Sequence, residues 1–103
     1  MNFKRFDKDY EIYENGTILY AGSPVKARAH KRRTFQARCK LSSGDEIYFE
    51  VGRLTYIAFN TKEDDIVKAY REFDKKTFII HLDGNIENNN LNNLAPKKVG
   101  KKK

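Results

Sequence analysis

The sequence predicts an α+β domain, and three patterns carry that expectation. Asn15-Gly16 lies between two β-prone runs, Tyr10 to Tyr13 and Thr17 to Tyr20, a strong local signal for a hairpin. Two later segments, Thr34 to Leu41 and Glu46 to Val51, alternate apolar and polar residues as half-buried strands do. Helical spacing then takes over at Leu54, Ile57 and Ala58, and again at Ile66, Val67, Tyr70 and Phe73.

After the first hairpin, Pro24 and the basic run that follows read as a loop or arm. In Thr34 to Leu41 the apolar Phe35, Ala37, Cys39 and Leu41 alternate with Gln36, Arg38 and Lys40, so the strand has one cationic face. Ser42-Ser43-Gly44-Asp45 reverses the chain into the partner strand, whose apolar positions are Ile47, Phe49 and Val51. A short helix over Arg53 to Phe59 packs on that sheet. Thr61-Lys62-Glu63-Asp64 reads as a helix-start capping pattern and predicts a second helix from about 63 to 73. The pattern changes again at Thr77-Phe78-Ile79-Ile80, a β-type run that ends at His81. Pro96 lacks a backbone donor and restricts Ala95, which closes the ordered part. The expected organisation is one domain over 1–95 and a disordered basic tail over 96–103.

Composition narrows the function classes. A chain of 103 residues suits a single domain, and 39% hydrophobic with 13% aromatic residues is a folding composition. Cys39 is the one cysteine, so no internal disulfide forms, and two histidines without a cysteine pair exclude the usual structural zinc motifs. An intracellular compartment is therefore expected, the host-cell cytoplasm if the chain is of phage origin. No apolar run approaches the ~20 residues of a membrane span. Met1-Asn2-Phe3-Lys4-Arg5 lacks the apolar segment of a signal peptide, and no basic amphipathic helix suggests a membrane surface.

The net charge of +7 is unevenly spread. Residues 26–40 hold Lys26, Arg28, Lys31, Arg32, Arg33, Arg38 and Lys40 without one acid, and the last seven residues hold five lysines, so these two segments contain 12 of the 21 cations. Cations that neutralise phosphates release counterions, which gives affinity for nucleic acid that falls with salt. The competing reading is a solvated loop and a solubilising tail. Nucleic acid is favoured because the acids Glu63-Asp64-Asp65 collect elsewhere.

The stretch richest in chemistry is Ile79-Ile80-His81-Leu82-Asp83-Gly84-Asn85, followed by an asparagine run that places six Asn in the nine residues 85–93. A lone histidine ending an apolar strand is more often structural than catalytic. Asp83-Gly84 is a turn pair, and asparagines satisfy loop backbone groups and tolerate left-handed conformations.

In order and spacing, however, these residues resemble the motif of the HNH nucleases, in particular the small phage and intron-associated endonucleases: an acid, then His-Ile-Asp-Gly-Asn, Asn-Asn and Asn-Leu. Val51-Gly52-Arg53-Leu54-Thr55-Tyr56-Ile57-Ala58-Phe59 is similar to the segment that precedes the motif in that family, and Tyr10-Glu11-Ile12-Tyr13-Glu14-Asn15-Gly16 resembles its opening. The resemblance implies a C-terminal ββ(α) element, with His81 as general base on a water and Asn93 bracing the loop, beside a divalent metal. Three departures stand against that site. Ile80 occupies the position of a metal-binding Asp, Gly52 that of a frequent histidine, and the second ligand would fall near Lys102, in a lysine cluster. Asp83, two residues from His81, is a substitute ligand if strand geometry carries through to it, and Asn85 or a partner chain are others. A degenerate, C-terminally truncated scaffold with its final helix short or absent is the expectation.

Three functions follow. The first is a nucleic-acid-binding protein with no cofactor, duplex DNA ranking ahead of RNA, contacted through the cations of residues 26–40. The second is an active endonuclease with magnesium or manganese held by Asp83 or other unusual ligands. The third is an interaction protein of phage type whose basic surface takes an acidic host protein or a ribosomal or transcription assembly, anchored by Tyr10, Tyr13, Tyr20, Phe35 and Tyr48. Binding ranks above catalysis because a hydrocarbon at Ile80 cannot coordinate a metal.

Overall fold

The computed structural model describes residues 1–31 and 33–98. Its first sheet is an antiparallel meander of β1 (Phe3–Asp7), β2 (Tyr10–Tyr13), β3 (Ile18–Tyr20) and β4 (Ser23–Pro24). The predicted β2–β3 hairpin is present, with Gly16 at φ +89° and Asn15 Oδ1 accepting from Thr17 N at 3.0 Å. Strand β1 lies outside every run that the sequence marks as β-prone. Its Phe6 is buried against Tyr10 and Phe49, at centroid distances of 5.4 and 5.5 Å, so a long-range aromatic contact recruits the segment.

The second sheet runs β5 (Ala27–His30), β6 (Thr34–Lys40), β7 (Glu46–Glu50). The stretch beyond Pro24, expected to be a loop or arm, is thus partly strand. Ala27 pairs with the fully buried Ala37 while Arg28 points the other way, so small residues line the inner side and cations stay in water. Alanine carries too little hydrophobicity for this alternation to register in the sequence. Across β6 and β7 the predicted alternation holds: Ala37, Cys39 and Phe49 are fully buried. Burial pushes the Cys39 thiol up to about 12, a group packed as a small hydrophobe.

Strand β7 runs directly into helix α1 (Val51–Asn60), so Val51, expected to end a strand, begins the helix. Val51, Leu54, Ile57 and Ala58 form its buried stripe, and Thr55, also buried, satisfies its hydroxyl by donating to Val51 O at 2.7 Å. This helix is the hub of the molecule, touching strands of all three sheets. Truncating the fully buried Leu54 to Ala would cost about 2–5 kcal/mol.

Helix α2 (Ile66–Glu72) starts later than its capping pattern suggests. Asp65, not Thr61, is the cap, accepting from Lys68 N at 3.1 Å, while Thr61 terminates α1 and its hydroxyl accepts from Glu63 N. Arg53 of α1 holds the two helices together, its guanidinium 4.8 Å from the Phe73 ring centroid and 5.7 Å from that of Tyr70. Tyr70 OH in turn accepts from Glu50 N at 2.9 Å.

The last sheet is the antiparallel pair β8 (Thr77–His81) and β9 (Leu94–Lys98), joined by a loop that closes with a 3-10 turn at Leu91–Asn93. Pro96 does not end the pairing. It lies opposite Ile79 in a two-stranded sheet, where each strand has a free edge and a missing donor is tolerated. Residues 96–98, expected in the tail, therefore belong to β9, while 99–103 and Arg32 lie outside the described residues, as does any helix after β9. Among the described residues no helix is long and apolar enough to cross a membrane.

Candidate functional site

Two features bear the residue types that the sequence singles out. One is the outer face of the second sheet. With its inner face on the core, strand alternation leaves Arg28, His30, Gln36, Arg38, Lys40 and Tyr48 outside, and the register sets Arg28 beside Gln36, Arg38 beside Tyr48 and Lys40 beside Glu46. An open depression of about 410 Å³ is lined there by Lys26, Arg28, His30, Gln36, Arg38 and Tyr48. Lys31, at φ +53°, and Arg33 occupy the β5–β6 turn beyond it; Arg32 lies outside the described residues. Arg38 Nε is 2.7 Å from Glu46, whose carboxylate together with the Tyr48 hydroxyl pushes the guanidinium pKa up. Among the described residues Lys26, Arg28, Lys31, Arg33 and Lys40 form no ion pair, so their charge faces solvent unanswered.

The second feature is the loop between β8 and β9. His81 ends β8, and its Nε2 lies 2.7 Å from Asn89 Oδ1. The Asn89 amide is oriented by its Nδ2, which donates to Ile86 O at 3.1 Å, so Oδ1 faces the imidazole and Nε2 carries the proton. The remaining lone pair of a neutral His81 is then on Nδ1. Asn89 is 3% exposed and is held between two glycines from distant segments. A Cβ at Gly52 would stand 2.8 Å from Asn89 Oδ1 and 3.0 Å from His81 Nε2, and one at Gly16 would stand 2.6 Å from Asn89 Cβ. The absence of a side chain at residue 52 is thus what admits the His81 and Asn89 pair.

Asp83 and Asn93 lie farther round the same loop. Strand β8 ends at His81, so the alternation that would put Asp83 on the face of His81 does not reach it. Its carboxylate instead accepts from Asn85 N at 2.8 Å, Asn93 Nδ2 at 2.9 Å and Asn88 Nδ2 at 2.8 Å. Those bonds, Asn88 first, pull its pKa down to about 2. Asn93 spends its amide on the loop as well, accepting from Asp83 N at 3.1 Å and donating to Asn88 O at 2.9 Å.

A divalent cation wants several oxygen donors converging on one point. Among the described residues no three His, Cys, Asp or Glu side chains do so. Ile80, next to His81, is 36% exposed and offers only hydrocarbon, as do the exposed Phe78 and Leu82 on either side of it.

Sequence reasoning assigns Asn89, His30 and Gln36 to no site, and gives Tyr48 only as an anchor for a protein partner. Asn89 is one of six in a run and only packing distinguishes it. Gln36 and Tyr48 carry a faint signal, since both fall on the polar phase of their strands.

No protein-family model matches the chain, and no curated protein matches it significantly. Among solved structures it is similar to one of DNA binding and cleavage by the HNH homing endonuclease I-HmuI, with a TM-score of 0.72 and 21% identity over 95% of this chain. The fold is HNH-like. The match spans 53% of the I-HmuI chain, so this protein corresponds to about half of that one. The predicted α+β architecture, with antiparallel hairpins, two helices and a C-terminal ββ element, agrees with this likeness.

Proposed function

We propose that the chain is a nucleic-acid-binding protein on an HNH-like scaffold, with DNA ahead of RNA as its partner and no metal-dependent cleavage. One observation carries this reading: among the described residues Lys26, Arg28 and Lys40, at the outer face of the second sheet, and Lys31 and Arg33, in its β5–β6 turn, form no ion pair. Charge left unanswered on one surface is what a polyanion neutralises, and the geometry needs no further residue. I-HmuI, a DNA-binding protein with the same fold, supports the choice of DNA. The alternative of a working nuclease needs ligands around His81, and the candidate, Asp83, already spends both oxygens inside the loop.

Titrating a fluorescent duplex with the protein across a salt series tests the proposal. If about four phosphates are neutralised, log K should fall against log salt with a slope near −3.6. Binding insensitive to salt, or none at low salt, overturns it. Incubation with supercoiled plasmid and magnesium or manganese, with His81→Ala as control, tests the loss of cleavage: nicking that vanishes in the variant restores the enzyme reading.

A further inference from the structure

Tyr48 is 58% exposed and meets no other ring among the described residues. Phe35, Tyr56, Phe59 and Phe73 also lack a ring partner but are half-buried, and Phe78, 55% exposed, belongs to β8, so Tyr48 is the exposed unpaired ring of the second sheet. It lies in the depression with Lys26, Arg28, Gln36 and Arg38 around it. At about 410 Å³ that depression has the volume of a small-ligand site, and it is open to solvent on a flat sheet.

We propose that this depression is a subsite for one unpaired nucleobase, stacked on Tyr48, so that the nucleic acid taken by the cationic face is single-stranded where it meets β7. The inference rests on the nucleic-acid reading above and narrows its substrate class. A base within a duplex is covered on both faces by its neighbours and cannot offer one to a protein ring; an unpaired base can. Lys26 and Arg28 supply free cations beside the ring for the flanking phosphates, and the Gln36 amide offers a donor and an acceptor to the base edge. Arg38 is tied to Glu46 at 2.7 Å and serves as a charged wall, its guanidinium held beside the ring. Nothing in this arrangement distinguishes ribose from deoxyribose, so the shared ligand is the unpaired base.

The test measures binding of labelled oligo-dT, oligo-rU and a duplex of equal length to the full chain, Tyr48→Ala and Tyr48→Phe. Tyr48 is exposed on an edge strand, so both variants should fold, and Tyr48→Phe keeps a stacking face. The expected result is a loss of roughly 10-fold or more on both single strands for Tyr48→Ala, no loss on the duplex, and near-complete retention by Tyr48→Phe. Equal losses on single strands and duplex, or no loss on any probe, overturn the subsite while leaving nucleic-acid binding in place. If the unaltered protein binds none of the three at low salt, the parent reading falls and this inference with it.

Discussion

Asn89 closes over Gly16 so tightly that a Cβ on the glycine would lie 2.6 Å from Asn89 Cβ and 3.0 Å from its carbonyl oxygen. The β2–β3 turn and the β8–β9 loop, more than seventy residues apart in the chain, therefore meet backbone to backbone. Leu91 N reinforces the meeting by donating to Glu14 O at 2.7 Å. The glycine of a hairpin signal thus also seats the loop that carries His81.

Gly16→Ala should accordingly cost more than turn strain alone. Gly22 is the control, since it has a similar φ of +86° but no atom within 4 Å of the place a Cβ would take, so its substitution isolates the conformational term. Denaturant midpoints should show a loss of about 1–2 kcal/mol for Gly22→Ala and about 2–4 kcal/mol for Gly16→Ala, where overpacking adds to the same strain. Equal losses would mean that the two loops separate freely.

The His81 and Asn89 hydrogen bond makes a second expectation. Asn89 is buried, and its removal leaves Ile86 O and the imidazole without their partner, so Asn89→Ala should destabilise by about 1–3 kcal/mol. In a double-mutant cycle with His81→Ala the coupling should be about 0.5–1.5 kcal/mol. Additive losses would show that the pair does not interact in solution.

Asp83 predicts a pH dependence. Its carboxyl titrates at about 2 in the folded protein, below its ordinary value of 3.8, because Asn88, Asn85 and Asn93 bond the charged form. The stability it contributes is complete above the ordinary value and is lost as pH falls through about 2. Asp83→Asn would turn an amide donor toward Asn88 Nδ2, so the variant should be less stable than the parent at neutral pH. The gap in urea midpoint should close as pH falls from about 4 to 2; a gap constant across that range would contradict the hydrogen-bonded carboxylate.

For the cationic face, charge reversal at Lys31 and Arg33 should weaken duplex binding at least about tenfold and flatten the salt dependence by roughly two phosphates. Lys75→Glu with Lys76→Glu changes the net charge equally at the approach to β8, away from this surface. If both doubles weaken binding alike, the attraction belongs to the whole molecule and not to the second sheet.

Where an element's pattern is local, it was legible in the residues alone. Thr34 to Lys40 shows period two and Leu54, Ile57 and Ala58 show helical spacing, because each buries one face with its own side chains; Thr77 to Ile80 is a run of β-prone residues, and Asn15-Gly16 marks its turn through the positive φ that glycine admits. The Pro96 signal misled because a proline reports a missing donor without saying whether any acceptor faces it. The cations of residues 26–40 could be counted, but only pairing of Arg28 with Gln36 and Arg38 with Tyr48 set them around one depression.

The sequence by itself determined the fold class, the positions of most strands and both helices, and the segregation of charge, since these follow from periodicity and composition within a few residues. Tertiary structure decided which asparagine of six binds His81, why residue 52 bears no side chain, that Asp83 braces the loop, and that β1 and Ala27–His30 are strands. Each of those outcomes depends on what a distant segment brings into contact, and no local pattern encodes the identity of a partner that only folding supplies.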